Sequence, residues 1–271
     1  MTKLALVKLG GSVITYKDKP LSANLGAIEG IARVLAELEI PAIIVHGGGS
    51  YGHHWSVKYD MHTRPAPYDA HGVAVVHESM VALNQIIVNA LIKAGANPYA
   101  VAPPVYAAGH RPIASKIDGL CTMARNGVMP VTFGDVVHIG GRKYSILSGD
   151  SLMSILAGAL RPSRIVFATN VDGIYRDMET KEIVPELHPG SSSSRRGAQK
   201  KEGKQRPLFS KTDDGVADVT GGMGRKVREA FKIASFGMDV MLVNGLVPER
   251  IARAVQDGRA EPCTVIRGRK R

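Results

Sequence analysis

Ile43-Ile44-Val45-His46-Gly47-Gly48-Gly49-Ser50-Tyr51-Gly52-His53-His54 is the stretch from which the fold is read. A β-branched run after Pro41 predicts a buried strand, and it stops in three successive glycines that let the backbone bend and approach a ligand without Cβ obstruction. Amide N–H groups exposed at such a bend suit an anion. His53 and His54, just beyond, add charge or directed hydrogen bonds. The stretch therefore reads as a phosphate grip, with a plain strand-to-helix turn as the alternative. Gly47, Gly49 and Gly52 also satisfy the dinucleotide pattern G-x-G-x-x-G, but that pattern wants a second strand ending in an acid about 20 positions on. Here the chain instead runs into the proline-rich loop His62–Tyr68.

Working outward, Leu4–Leu9 reads as a strand delivering Lys8-Leu9-Gly10-Gly11-Ser12, with Lys17 nine positions after Lys8. The P-loop pattern G-x-x-x-x-G-K-[ST] occurs nowhere. Leu25–Leu38 has helical spacing. So does Asp69–Ala94, whose stripe Val73, Val76, Met80, Leu83, Ile87 and Leu91 reads as core or as the wall of an apolar slot. Tyr99–Pro103 and Val128–Thr132 read as short strands, and Val136–Leu147 as a hairpin around Gly140-Gly141. Ser148-Gly149-Asp150 then opens a helix that Pro162 ends, with Ser148 or Asp150 as its cap. Arg164–Thr169 leads to Asn170-Val171-Asp172-Gly173, with Asp177 beyond. After Ser191–Ser194 and a basic run to Lys211, which reads as a mobile insert, Thr220 is placed to cap a helix Met223–Phe236 that carries Lys226. Val240–Asn244, Pro248–Gln256 and Cys263–Ile266 read as strand, helix and strand.

At 271 residues with 44% apolar residues the chain can bury a large core, and no unbroken apolar run reaches the ~18 residues that span a membrane. Cys121 and Cys263 stand far apart in no metal-ligand spacing, so a reducing cytoplasm is expected. Seven basic residues against Glu202 in 195–211, and four in the tail 267–271, account for all but one of the formal +11 charge. The body is nearly neutral, which argues against nucleic acid as the partner.

Four glycine turns after strands, in a chain of alternating strands and helices, gather at one edge of a parallel sheet. Lys8, Lys17, His53, Asp150 and Lys226 would converge there. Transfer of a phosphoryl group between two anions asks for positive charge and amide donors more than for a nucleophile.

On Lys8–Ser12, His46–His53, Ser148–Asp150, Asn170–Gly173 and Asp218–Lys226, in order over nearly the whole chain, the sequence resembles the amino acid kinase family, and within it the branch acting on isopentenyl phosphate in the archaeal type of mevalonate route. The resemblance implies an α/β fold: a three-layer αβα sandwich with a mainly parallel sheet in one domain, 1–271. Residues 1–160 would bind the acceptor and 161–271 ATP with Mg2+. It also implies a homodimer. The products would be ADP and isopentenyl diphosphate, with dimethylallyl phosphate as a second acceptor. Lys8, Gly10, Gly11 and Ser12 would hold ATP phosphates and Lys17 would stabilise the transition state. Gly48 and Gly49 would contact acceptor and nucleotide phosphates, His53 would bind the acceptor phosphate, and Gly149 would touch the acceptor while Asp150 positions lysines. Asp172 and Asp177 would lie at the nucleoside, and Gly222 and Lys226 near the transferring group. No side chain is assigned to a metal. A fosfomycin-type kinase is the nearest rival; a non-catalytic anion- or RNA-binding protein on the same fold is the rival from another class. Asn170, where the family commonly has Asp, departs from the pattern.

Overall fold

Leu4, Leu6 and Lys8 alternate along the first strand with Ala5, Val7 and Leu9, and in the structure the two sets enter different cores. A strand buried on both faces needs helices above and below it, and that requirement generates the architecture. The computed structural model describes residues 3–177, 179–188 and 222–269. The basic insert and the Thr220 cap fall outside these residues.

The strands are β1 (Ala5–Leu9), β2 (Ala42–His46), β3 (Pro98–Ala100), β4 (Ala107–Ala108), β5 (Arg111–Pro112), β6 (Met129–Phe133), β7 (Asp135–Gly140), β8 (Lys143–Leu147), β9 (Arg164–Thr169), β10 (Glu186–Leu187), β11 (Val240–Asn244) and β12 (Cys263–Ile266). The helices are α1 (Gly11–Ile14), α2 (Leu25–Ala36), α3 (Gly49–Lys58), α4 (Ala70–Lys93), α5 (Ala114–Arg125), α6 (Gly149–Leu160), α7 (Gly222–Ser235) and α8 (Pro248–Gln256). Eight strands form one sheet in the order β10-β12-β11-β9-β1-β2-β6-β3, and every pair but β11–β12 is parallel. Leu6 and Ile43, with Phe167 and Leu242, pack on one face against α5, α6 and α7; Val7, Ile44 and Val166 pack on the other against α2, α4 and α8. The result is the three-layer αβα sandwich.

β1 pairs with β2 on one side and with β9 on the other. The chain therefore leaves the centre of the sheet in both directions, and a crevice opens beyond the C-terminal ends of these strands.

One expectation needs correction, and two features go beyond the sequence reading. The predicted strand Tyr99–Pro103 stops at Ala100, and Pro103–Val105 forms a 3-10 turn, because two consecutive prolines cannot donate to a ladder. The α4 stripe is divided: Leu83, Ile87 and Leu91 enter the main core, whereas Val76 joins Met61 and Val136 in a separate cluster under the β7–β8 hairpin. By length and composition alone α4 is apolar enough to cross a membrane, but half of its most apolar window is buried within the protein. Helix α5 has no counterpart in the sequence reading.

Candidate active site

Lys8 shares the sheet face of Leu4 and Leu6 yet sits one residue from the end of β1, so its stem is enclosed by core while its amine reaches the crevice. Only 3% of the side chain is exposed, and Nζ lies 2.8 Å from Asp150 Oδ1. The amine also lies 6.0 Å from the centre of the Phe167 ring. Asp150 stands in the first turn of α6, where a carboxylate complements the helix dipole, and Ser148 caps that helix by accepting from the Ser151 amide at 3.2 Å. Ser148 is thus the cap, and Asp150 remains available to the lysines.

Burial lowers the Lys8 pKa, with Asp150 pulling against it and Lys226 and Arg225 adding to the fall. Burial pushes the Asp150 carboxyl up, but Lys8, Lys226 and Arg225 together hold it below the usual carboxylate range. Asp150 is therefore anionic beside Lys8, Lys226 and Arg225, and Lys8 and Lys226 line the crevice with it.

The glycines act mainly between turns. A Cβ on Gly11 would sit 2.4 Å from the Gly49 nitrogen, one on Gly134 2.7 Å from the Gly149 nitrogen, and one on Gly149 2.9 Å from the His46 carbonyl oxygen. Gly49 has φ +48°, and its Cβ would meet Thr15 Oγ1 at 2.0 Å. Thr15 Oγ1 accepts from the Ser50 amide at 2.9 Å and donates to the Gly11 carbonyl at 2.7 Å, tying the first two turns together. The bends after β1, β2 and β6 and at the start of α6 thus interlock backbone to backbone, which brings sequence-distant amides to one place.

The cleft they enclose, about 150 Å3, is lined by Lys8, Gly11, Ser12, Lys17, Gly48, Gly49, His53, Gly149, Asp150 and Lys226. Its apolar side is Val76 and Met80 from α4 with Ile146 from β8. The Met80 sulfur packs where a Cβ on Gly48 or Gly52 would come within 3.0 Å. His53 sits in the second turn of α3 rather than in a loop, while the His54 ring packs edge-on to Trp55 at 4.8 Å and takes no part in the wall. Leu83, a residue for the apolar slot on the sequence reading, faces the core, whereas Met80 reaches the cleft.

Gly10, Asp172, Asp177 and Gly222 are not walls of this cleft. Gly10 forms the turn itself: its amide donates to the Ala168 carbonyl at 2.9 Å, and a Cβ would meet that oxygen at 2.6 Å. Asp172 accepts from Asn244 Nδ2 at 3.0 Å and pairs with Arg250, contacts that hold its pKa down. Asp177 closes a turn by accepting from the Glu179 and Thr180 amides at 2.7 and 2.9 Å. Gly222 begins α7. Asn170 accepts from Ser12 Oγ at 3.0 Å, so it links the turns after β1 and β9.

Gly134 and Asp135 line the cleft without having been marked in the sequence. They lie between the predicted strand Val128–Thr132 and the predicted hairpin from Val136, and a glycine followed by an acid at a strand end was the available signal. His46 is structural: it is wholly buried, held between the Gly47 carbonyl and the Asn84 amide, and burial lowers its pKa to about 4, so the ring is neutral.

Residues 3–244 match the amino acid kinase family. An isopentenyl phosphate kinase of Thermoplasma acidophilum is 33% identical over 255 residues, covering 92% of this chain and 94% of its own. One from Methanothermobacter thermautotrophicus is 30% identical over 263 residues, covering 93% and 95%. A crystal structure of an isopentenyl phosphate kinase substrate complex superposes with a TM-score of 0.76 at 28% identity, over 98% of this chain and all of that one.

Proposed function

The chain belongs to the amino acid kinase family, and from that premise we propose that it transfers the γ-phosphoryl group of ATP to isopentenyl phosphate, giving isopentenyl diphosphate for isoprenoid synthesis. The observation that carries this reading is the single cleft in which Lys8, paired with Asp150, shares walls with Lys17, Lys226 and His53 and with an apolar side of Val76, Met80 and Ile146. A phosphorylated short alkyl chain needs both surfaces at once, whereas a small polar phosphonate such as fosfomycin needs no apolar side.

In this reading Gly11, Ser12 and Gly49 hold the nucleotide phosphates through backbone amides, with Gly10 shaping the turn that presents them, and Gly48, His53 and Gly149 hold the acceptor. Lys17 and Lys226 neutralise charge as the γ-phosphoryl group passes between the two anions, and Lys8 is aimed by Asp150. No general base is required, because a phosphate monoester oxygen is already anionic near neutral pH. Asp172 and Asp177 belong to the nucleoside side, in the half from about residue 161 that takes ATP, and Gly222 lies with Lys226 near the transferring group. Among the described residues no three His, Cys, Asp or Glu side chains converge to hold a metal ion. In this reading Mg2+ arrives with the nucleotide substrate. A homodimer in the cytoplasm, with dimethylallyl phosphate as a second acceptor, completes the reading.

A coupled ADP-release assay across isopentenyl phosphate, dimethylallyl phosphate, longer phosphorylated alcohols and fosfomycin tests it. Turnover with the short isoprenoid phosphates is expected; turnover with fosfomycin alone overturns the acceptor. His53→Ala is expected to raise the acceptor KM and lower kcat together, each by roughly tenfold. Unchanged kinetics would remove His53 from the acceptor site.

A further inference from the structure

An ion pair in the wall of the cleft has no part in the chemistry above. Asp135 begins β7 directly after the Gly134 turn, lines the cleft, and has a side chain with 0% exposure. Its Oδ2 lies 2.7 Å from Nδ1 of His77 on α4, and its Oδ1 accepts from the Val136 amide at 2.7 Å. A carboxylate in the wall of a cleft that takes two anions opposes its own ligands, and so little solvent reaches this one that screening is weak. Among the described residues its ionic partner is His77, which is 48% exposed and so remains in exchange with bulk protons. His77 also immediately follows Val76 and precedes Met80 by less than one helical turn, so the pair binds the apolar wall of the cleft to the start of β7.

We propose that His77 is a positioning residue for the acceptor: its imidazolium cancels the Asp135 charge beside the acceptor phosphate, and the pair holds Val76 and Met80 against the alkyl chain. The proposal rests on the acceptor reading above. The hydrogen bond to Asp135 raises the His77 pKa, against a smaller opposing effect of burial. Burial raises the Asp135 pKa, with His77 pulling it down. Because the His77 pKa is raised, the neutral pair persists through the ordinary imidazole range and is lost only as pH climbs through the raised value; above it Asp135 keeps a hydrogen bond but no counter-charge.

The other groups near the pair are Tyr106, whose hydroxyl bonds Thr132 at 2.7 Å and whose pKa burial raises, and Glu78 on α4 itself. Across the cleft stand His53, Lys8, Lys17, Asp150 and Lys226. These groups, and the acceptor's own second ionisation, are common to wild type and variants. The ratio of KM values therefore isolates His77.

The experiment measures the KM for isopentenyl phosphate and for ATP in wild type, His77→Gln and Asp135→Asn from about pH 6 to about pH 9, with Tm recorded for each protein. Gln retains a donor to Asp135 but carries no charge. His77→Gln is expected to raise the acceptor KM roughly fivefold at the acid end, with the gap to wild type closing at the alkaline end, while the ATP KM moves less. In Asp135→Asn the alkaline rise in acceptor KM expected of wild type should disappear. The proposal is overturned if His77→Gln matches wild type at every pH, if Asp135→Asn keeps the alkaline rise, or if both variants raise the two KM values equally along with a fall in Tm. Wild-type protein that forms no ADP with isopentenyl phosphate at any pH would instead defeat the acceptor reading itself.

Discussion

The turns after β1 and β9 leave adjacent parallel strands at the same edge of the sheet, and both contain glycine and polar residues. They are held in opposite ways. After β1, Gly10 and Gly11 press their backbones against Ala168 and Gly49, so Lys8 and Ser12 remain directed at the cleft. After β9, the polar side chains are themselves engaged: Thr169 Oγ1 with the Val171 carbonyl at 2.9 Å, and Asp172 with Asn244 on β11 and Arg250 on α8. A turn whose bends are fixed by backbone contact leaves its functional groups available. A turn fixed by its own polar side chains does not, whatever its sequence signature suggests.

Lys8→Met attacks the first turn where the contrast is greatest. It removes the cation and leaves Asp150 buried with only Lys226 and Arg225 to balance it. The expected loss is about a thousandfold in kcat, with about 3 kcal/mol of stability from the broken buried pair. Single-turnover rates and denaturant melts check it. A kcat within about tenfold of wild type would mean that Lys8 is as architectural as Asp172. Next in size is Gly49→Ala, which forces an alanine to φ +48° with its Cβ 2.0 Å from Thr15 Oγ1. Displacing the interlocked turns by a fraction of an ångström is expected to cost about a hundredfold in kcat/KM. The variant should lose about 2 kcal/mol or more in stability, from the left-handed backbone and the clash together. Gly26→Ala, where a Cβ meets nothing within 4 Å, is the control.

The same contrast explains what the sequence could disclose. Strands and helices of the sandwich were legible because β-branched runs and 3.6-residue spacing are local, as in Arg164–Thr169 and α8. The convergence of Lys8, Lys17, His53, Asp150 and Lys226 followed from glycine turns at strand ends. Helix α5 escaped although Ile117, Leu120, Cys121 and Ala124 have helical spacing, since Asp118 and Gly119 between them and Lys116 and Arg125 beside them dilute the apolar signal. The pairing of Asp135 and the engagement of Asp172 were out of reach for another reason: each is decided by a residue 58 or 78 positions away, His77 or Arg250. Partners so distant in sequence leave no periodic trace. The division of α4 between main core and cleft has the same origin, because the hairpin that receives Val76 is made by residues 135–147.

Asp172→Ala gives the smallest effect, and it tests the other side of the comparison. The carboxylate is 37% exposed and bonds Asn244 and Arg250, the latter on α8. Removing it leaves Arg250, 16% exposed, with partial access to solvent rather than stranding a charge in the core. The expected cost is therefore about 1 kcal/mol or less, after allowance for solvent screening. The carboxylate's pKa is lowered in the folded state, so this contribution is present above the unfolded carboxylate value and lost as pH falls through the folded one. Wild type and variant should accordingly differ in Tm near neutral pH and converge toward acid. If Asp172 also lies beside the nucleoside, the variant raises the KM for ATP about threefold and leaves the acceptor KM alone. A Tm difference without any change in the ATP KM would mean that the turn after β9 holds the sheet edge and nothing else, whereas an effect on ATP larger than that of Gly49→Ala would overturn the distinction between the two turns.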